Sequence, residues 1–160
     1  MIIALPDLHI RPSTEKDAFF LQTLYRSTRD DLLQLGLPDA MFENLLEMQF
    51  RAQQASYRSQ FPDAKYAVVE KAGEAVGCLL TDEDGEEIRL VYIAFLPQAR
   101  NRGHGRSLLR ALQAKAEKAK KTLALSVDPR NTPALHLYRS AGFEVMNDDG
   151  ANLEMVWPRS

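Results

Sequence analysis

The order in which the hydrophobic period changes along the chain predicts an α/β protein with a mixed sheet. Helical spacing occupies residues 18–59, strand-like patterns fill 65–96, and helix and strand then alternate to residue 157. Hairpins followed by a β-α-β-α-β run combine antiparallel and parallel pairing in one sheet. The 160 residues amount to about one domain, so 1–160 is expected to fold as a single unit.

Each element has its own local reason. Residues 8–11 read as a first strand, and Pro12-Ser13 leads into a helix carrying Ala18, Phe19, Leu21, Leu24 and Tyr25, with Ser13 or Thr14 as N-cap. Gly36-Leu37-Pro38-Asp39 stops that segment and restarts a second helix over 39–59, which Pro62-Asp63 ends. Residues 65–70 and 75–81 form a hairpin about Ala72-Gly73-Glu74. A turn at 82–86 opens a long strand, 88–96, which stops at Pro97. Leu108, Leu109, Leu112 and Ala116 restore the helical period over 105–120. A strand at 122–127, a helix at 132–141 and strands at 143–146 and 152–157 complete the order β-α-α-β-β-β-α-β-α-β-β.

Composition narrows the function. Twenty basic and 22 acidic side chains give a net charge of −2, which supplies no whole-molecule attraction to nucleic acid or an anionic membrane, and neither is expected as a partner. No apolar run approaches the roughly 18 residues of a membrane span. Asp7, His9 and Arg11 interrupt the apolar start before a signal core forms, so a cytoplasmic location is expected. Cys78 is the single cysteine and fits a reducing compartment; with His9, His104 and His136 scattered, no metal-ligand spacing exists and no metal is expected. Any anion must therefore be held locally.

The segment Arg100-Asn101-Arg102-Gly103-His104-Gly105-Arg106 offers such a site. It lies where a strand ends and a helix begins, and amides at a helix N-terminus attract anions. Two glycines let the backbone close on a phosphate, and three arginines add local positive charge. It lacks the Gly-Lys-Ser/Thr of a P-loop and the spacing of the dinucleotide fingerprint.

Arg-x-x-Gly-x-Gly in this context resembles the acetyl-CoA site of the GCN5-related N-acetyltransferase (GNAT) superfamily. Asn131, Ala134, Leu137, Tyr138, Gly142 and Phe143 resemble its second cofactor motif, and the likeness spans residues 8–157. The resemblance implies a mostly antiparallel, twisted sheet of six or seven strands flanked by about four helices, with two strands splayed into a V-shaped acyl-CoA cleft. It also implies that backbone groups near Ile93, Ala94 and Phe95 bond the pantetheine arm and polarise the acetyl carbonyl. The amides of 101–106 would take the pyrophosphate, Asn131 would touch the cofactor as well as cap its helix, and Tyr138 would give a proton to the departing thiolate.

The general base stays open between a carboxylate and a water. Glu87 is the carboxylate candidate, Arg89 and Tyr92 stand where some relatives carry acids, and Tyr92 suits a relayed water. The implied activity is acetyl transfer from acetyl-CoA, as co-substrate, to the primary amine of a small molecule or peptide. A different acyl donor and a non-catalytic acyl-CoA-binding module are the alternatives, and a homodimer through the C-terminal strands is compatible with all of them. The acceptor is not legible, although residues 30–62 carry no acidic cluster suited to a polycation.

Overall fold

A computed structural model of the chain describes residues 3–4 and 7–158, with side chains from residue 7 onward. The described chain divides into two compact units: residues 1–80 with 92–100, and residues 81–91 with 101–160.

The first unit begins with strands β1 (Ile3–Ala4) and β2 (His9–Pro12). Helices α1 (Ala18–Ser27), α2 (Asp30–Leu33) and α3 (Asp39–Gln60) follow, then β3 (Lys65–Lys71) and most of β4 (Glu74–Glu83). The far end of β5 (Glu87–Phe95) belongs to this unit as well. Strands neighbour one another in the order β1-β2-β3-β4-β5, with β2 antiparallel to both β1 and β3. Thr14 caps the turn before α1 through a capping box with Asp17. Arg11 fixes the same corner, giving two hydrogen bonds of 2.9 and 2.8 Å to the buried Asp17 carboxylate and one of 3.1 Å to Glu70. Tyr25, Leu32, Phe42 and Leu46 pack α1, α2 and α3 together. Leu24, Cys78 and Ala94 form a second core with Tyr66 and Tyr92 against it.

The second unit holds the start of β5, α4 (His104–Ala119), β6 (Thr122–Val127), α5 (Thr132–Ser140), β7 (Glu144–Asp148) and β8 (Leu153–Trp157). Its strand order is β4-β5-β6-β8-β7. β5 and β6 run parallel, while β8 is antiparallel to β6 and β7, so the sheet is mixed and mostly antiparallel. Register separates the two faces. Ile88, Leu90, Leu123, Leu125 and Met155 share a buried apolar face, and the α4 stripe of Leu108, Leu109, Leu112 and Ala116 is buried with it. Truncating one of those leucines to alanine costs about 2–5 kcal/mol. Glu87, Arg89, Ser126 and Glu154 alternate onto the opposite face.

The element order agrees with the sequence reading, with two additions. α2 is a single turn too short to show a period, and β1 is a two-residue strand. Five α-helices are therefore described where about four are expected.

Candidate active site

In the second unit, the turn expected from the sequence to bind an anion is built by two left-handed residues. Asn101 has φ 61° and Gly103, at the N-cap of α4, has φ 81°. That geometry turns the chain abruptly into the helix and leaves the first-turn amides of α4 without carbonyl partners within the helix. A Cβ on Gly103 would meet nothing within 4 Å, so its glycine answers to backbone conformation. A Cβ on Gly105 would stand 3.4 Å from Leu137 Cδ2, an ordinary contact, so the packing of α4 on α5 does not demand a glycine there. The bare backbone at 103 and 105 is what a diphosphate needs for close approach.

The surrounding cations are arranged unevenly. Arg106 reaches the Ser140 hydroxyl at 3.5 Å, and Lys115 and Lys121 both pair with Glu83, at 3.2 and 3.3 Å. Arg100, in the first unit, donates to the Phe95 carbonyl at 2.9 Å and to the Ser27 carbonyl and hydroxyl at 3.1 and 3.2 Å. It thus ties the end of β5 to α1, a positioning role that the sequence pattern does not reveal.

Asn131 caps α5, its side chain accepting from the Ala134 amide at 3.3 Å. Seven residues on, Tyr138 is buried with its ring 5.9 Å from Phe143. Burial lifts the Tyr138 phenol above its ordinary range, so it keeps its proton at neutral pH. Gly142, at φ 95°, ends the helix with Trp157 against it.

The parallel register of β5 and β6 runs from Glu87↔Thr122 to Leu90↔Leu125. β5 then continues to Phe95, beyond that register, and the segment includes Ile93, Ala94 and Phe95. Within the first unit this far end is fixed by β4: the Leu96 amide donates to the Val76 carbonyl at 2.9 Å, and Gly77 lies against Ala94 and Phe95. Gly77 is a close-packing position that motif reading missed, although a lone glycine inside a strand does signal close backbone approach.

The base candidates resolve differently. Glu87 accepts from Arg89 Nε at 3.2 Å. Arg89 also makes a bidentate pair with Glu154, which takes a further hydrogen bond from Ser126 at 2.7 Å. Burial works against the Glu154 anion, but these donors outweigh it and its carboxyl is lowered. Glu87 is therefore engaged by a guanidinium. In the first unit, burial pushes Tyr57, Tyr66 and Cys78 each up to about 12 and Tyr92 higher still. The Tyr92 hydroxyl is buried with no hydrogen bond of good geometry, beside Thr28, whose own hydroxyl donates to the Tyr25 carbonyl at 2.7 Å. None of these four groups releases a proton near neutrality.

A cleft of about 340 Å³ lies between α1 and α3, with Phe19 and Leu46 on its walls. Its carboxylates are paired, Glu43 with Arg26 and Glu47 with Arg51, so it exerts little net acidic pull. Among the described residues no group of three or more His, Cys, Asp or Glu could hold a metal ion, and no helix is long and apolar enough to cross a membrane.

Residues 24–143 match the Acetyltransferase (GNAT) family. Among solved structures, the chain is similar to the PaiA N-acetyltransferase from Thermoplasma acidophilum in complex with coenzyme A, at 17% identity and TM-score 0.69, covering 93% of this chain and 97% of that one. It is similar to a GNAT family acetyltransferase from Elizabethkingia anophelis with acetyl-CoA bound, at 16% identity and TM-score 0.62, covering 95% and 98%. It is also similar to an acetyltransferase from Thermus thermophilus, at 21% identity and TM-score 0.67, covering 98% of both chains. No curated protein matches it.

Proposed function

Because the chain belongs to the acetyltransferase (GNAT) family, we propose that it transfers the acetyl group of acetyl-CoA directly to a primary amine on a small-molecule or peptide acceptor. The observation that carries this reading is the turn at Asn101 and Gly103, whose left-handed backbone opens α4 with bare amides beside Gly105.

The chain's own groups divide the work. The amides of 101–106 bind the diphosphate, aided by the helix dipole. Backbone groups at Ile93, Ala94 and Phe95 align the pantetheine arm and stabilise negative charge developing on the thioester oxygen. Asn131 adds a contact where it caps α5. Acetyl-CoA supplies the acyl group: the amine nitrogen bonds the carbonyl carbon as the C–S bond breaks, and the sulfur leaves with the electron pair. Tyr138 protonates that sulfur and regains a proton from solvent, and the surplus proton of the attacking amine leaves to water, since Glu87 is held by Arg89 and the buried tyrosines of the first unit keep their own protons. Rate comes mainly from orientation and oxyanion stabilisation.

Calorimetric titration of acetyl-CoA tests this directly, with the double variant Gly103→Asp, Gly105→Asp as its control. Position 105 accommodates a Cβ, whereas the left-handed backbone at 103 costs an aspartate about 1–2 kcal/mol, so circular dichroism accompanies the titration, in which opposed charges should weaken binding on the order of a hundredfold. Folded wild-type protein that binds neither acetyl-CoA nor CoA would overturn the reading. The engagement of Glu87 also favours a second reading, a non-catalytic acyl-CoA-binding module. Thiol release across a panel of primary amines separates the two.

A further inference from the structure

The peptide unit joining Phe95 to Leu96, at the end of β5, is held by both of its polar groups. Its amide donates to the Val76 carbonyl of β4 at 2.9 Å, and its carbonyl accepts from Arg100 Nε at 2.9 Å. Arg100 comes back to this carbonyl because Pro97–Ala99 forms a 3-10 turn. The turn is closed by the Ala99 amide on the Leu96 carbonyl at 2.9 Å and by the Arg100 amide on that of Pro97 at 3.2 Å.

A second nitrogen of the same guanidinium, Nη2, donates to the Ser27 carbonyl at 3.1 Å and to the Ser27 hydroxyl at 3.2 Å. Ser27 is the last residue of α1, and carbonyls of a final helical turn have no intrahelical amide to accept from. A cation at that end also meets the negative pole of the helix dipole. Leu24, one turn earlier in α1, packs with Cys78 and Ala94. The last turn of α1 therefore meets the end of β5 twice, through the apolar contact of Leu24 and through the Arg100 bridge. Nε and Nη2 are aimed at neutral oxygens of the protein, an arrangement that fixes backbone. Only a rigid, planar fork serves both acceptors together; an ammonium is a single point charge on a flexible stem.

We propose that Arg100 is a positioning residue for the acyl arm: by bridging Ser27 to the Phe95 carbonyl it fixes the segment Ile93–Phe95, and it does not hold the diphosphate. This role rests on the acetyl-CoA reading above and assigns to it a residue whose motif spacing points to phosphate.

Two ligands separate the roles by calorimetry, since acetyl-CoA carries the pantetheine arm and ADP only the diphosphate. Arg100→Met should weaken acetyl-CoA about tenfold and leave ADP within about twofold. Arg100→Lys keeps the charge but loses the fork, so it should behave as Arg100→Met does. Without ligand, hydrogen exchange at the Leu96 amide should quicken about tenfold in both variants. Exchange at the buried Leu125 amide of β6 should not change, which separates a local release from a general loss of stability. Arg100 is exposed, so both variants keep the fold. An ADP affinity that falls in Arg100→Met and returns in Arg100→Lys gives the side chain to phosphate and overturns the proposal. Unchanged exchange at Leu96 overturns it as well. Either result leaves the acetyl-CoA reading standing, whereas wild-type protein that binds neither ligand overturns that reading and this role with it.

Discussion

Gly77 lies beneath Phe95: a Cβ on Gly77 would stand 2.6 Å from the Ala94 carbonyl oxygen and 2.6 Å from Phe95 Cδ1. Glycine is required there for space, since the ring of Phe95 occupies the volume a side chain would fill. Gly77→Ala must displace the end of β5 or the ring, at about 1–3 kcal/mol. The expected result is a melting temperature lowered by about 5 °C and a weakened affinity for acetyl-CoA, whereas Gly85→Ala, in an open turn, should leave both unchanged.

Tyr138 is held protonated by burial, which suits the proposed donor role and not that of a base. Tyr138→Phe should lower kcat about 100-fold while the dissociation constant for acetyl-CoA moves little. Because the phenol ionises above its ordinary 10, the pH profile of kcat should show no descending limb from this residue at or below that pH.

The Asp17 carboxyl is lowered from 3.8 to about 2, first by hydrogen bonds from Arg11, against opposing burial, and then by the Thr14 amide. Its folded value lies below its unfolded one, so its stabilisation is full above pH 3.8 and is lost as pH falls towards 2. Asp17→Asn should cost about 2 kcal/mol at neutral pH. In denaturant melts of the two proteins, that gap should close over the same acidic window.

Arg89 holds Glu87 and Glu154 together on one face of the second unit. Arg89→Met leaves two carboxylates without their cation and should cost about 1–2 kcal/mol, a modest figure because the pairs are partly solvated. Deprived of the guanidinium and left with Ser126 as donor, Glu154 should ionise less readily, so the variant should regain stability on acidification. Urea melts at pH 7 and pH 5 check the direction.

The Tyr92 hydroxyl is buried without a well-formed hydrogen bond. Tyr92→Phe should therefore leave stability unchanged or raise it by about 1 kcal/mol, measured by chemical denaturation. A marked loss would show that this oxygen is paired, by Thr28 or by a water.

Much of this architecture is legible because the signals are local. Thr122 to Val127 reads as a strand between Lys121 and Asp128 and is one, and the helix opening after Gly103 follows from the two glycines. α2 is not legible, because Asp30-Asp31-Leu32-Leu33 is too short to display a period. Arg100 reads as phosphate-directed charge from sequence spacing, yet its guanidinium is committed to Phe95 and Ser27, a partner 73 positions away that no motif encodes. Glu87 stands out in the sequence by its proximity to the strand, and its engagement by Arg89 depends on two side chains on one face turning towards each other. Tertiary partners, not elements, are what spacing does not supply.

Strands β4 and β5 each pass from one compact unit into the other, at residues 80–81 and 91–92. Neither unit is therefore a continuous stretch of gene. A single recombination crossover cannot exchange one between homologues without dividing the other, so the two units are inherited together. Variation between homologues must then come from point changes and loop insertions within both units, and cutting the gene at one place cannot release either unit whole.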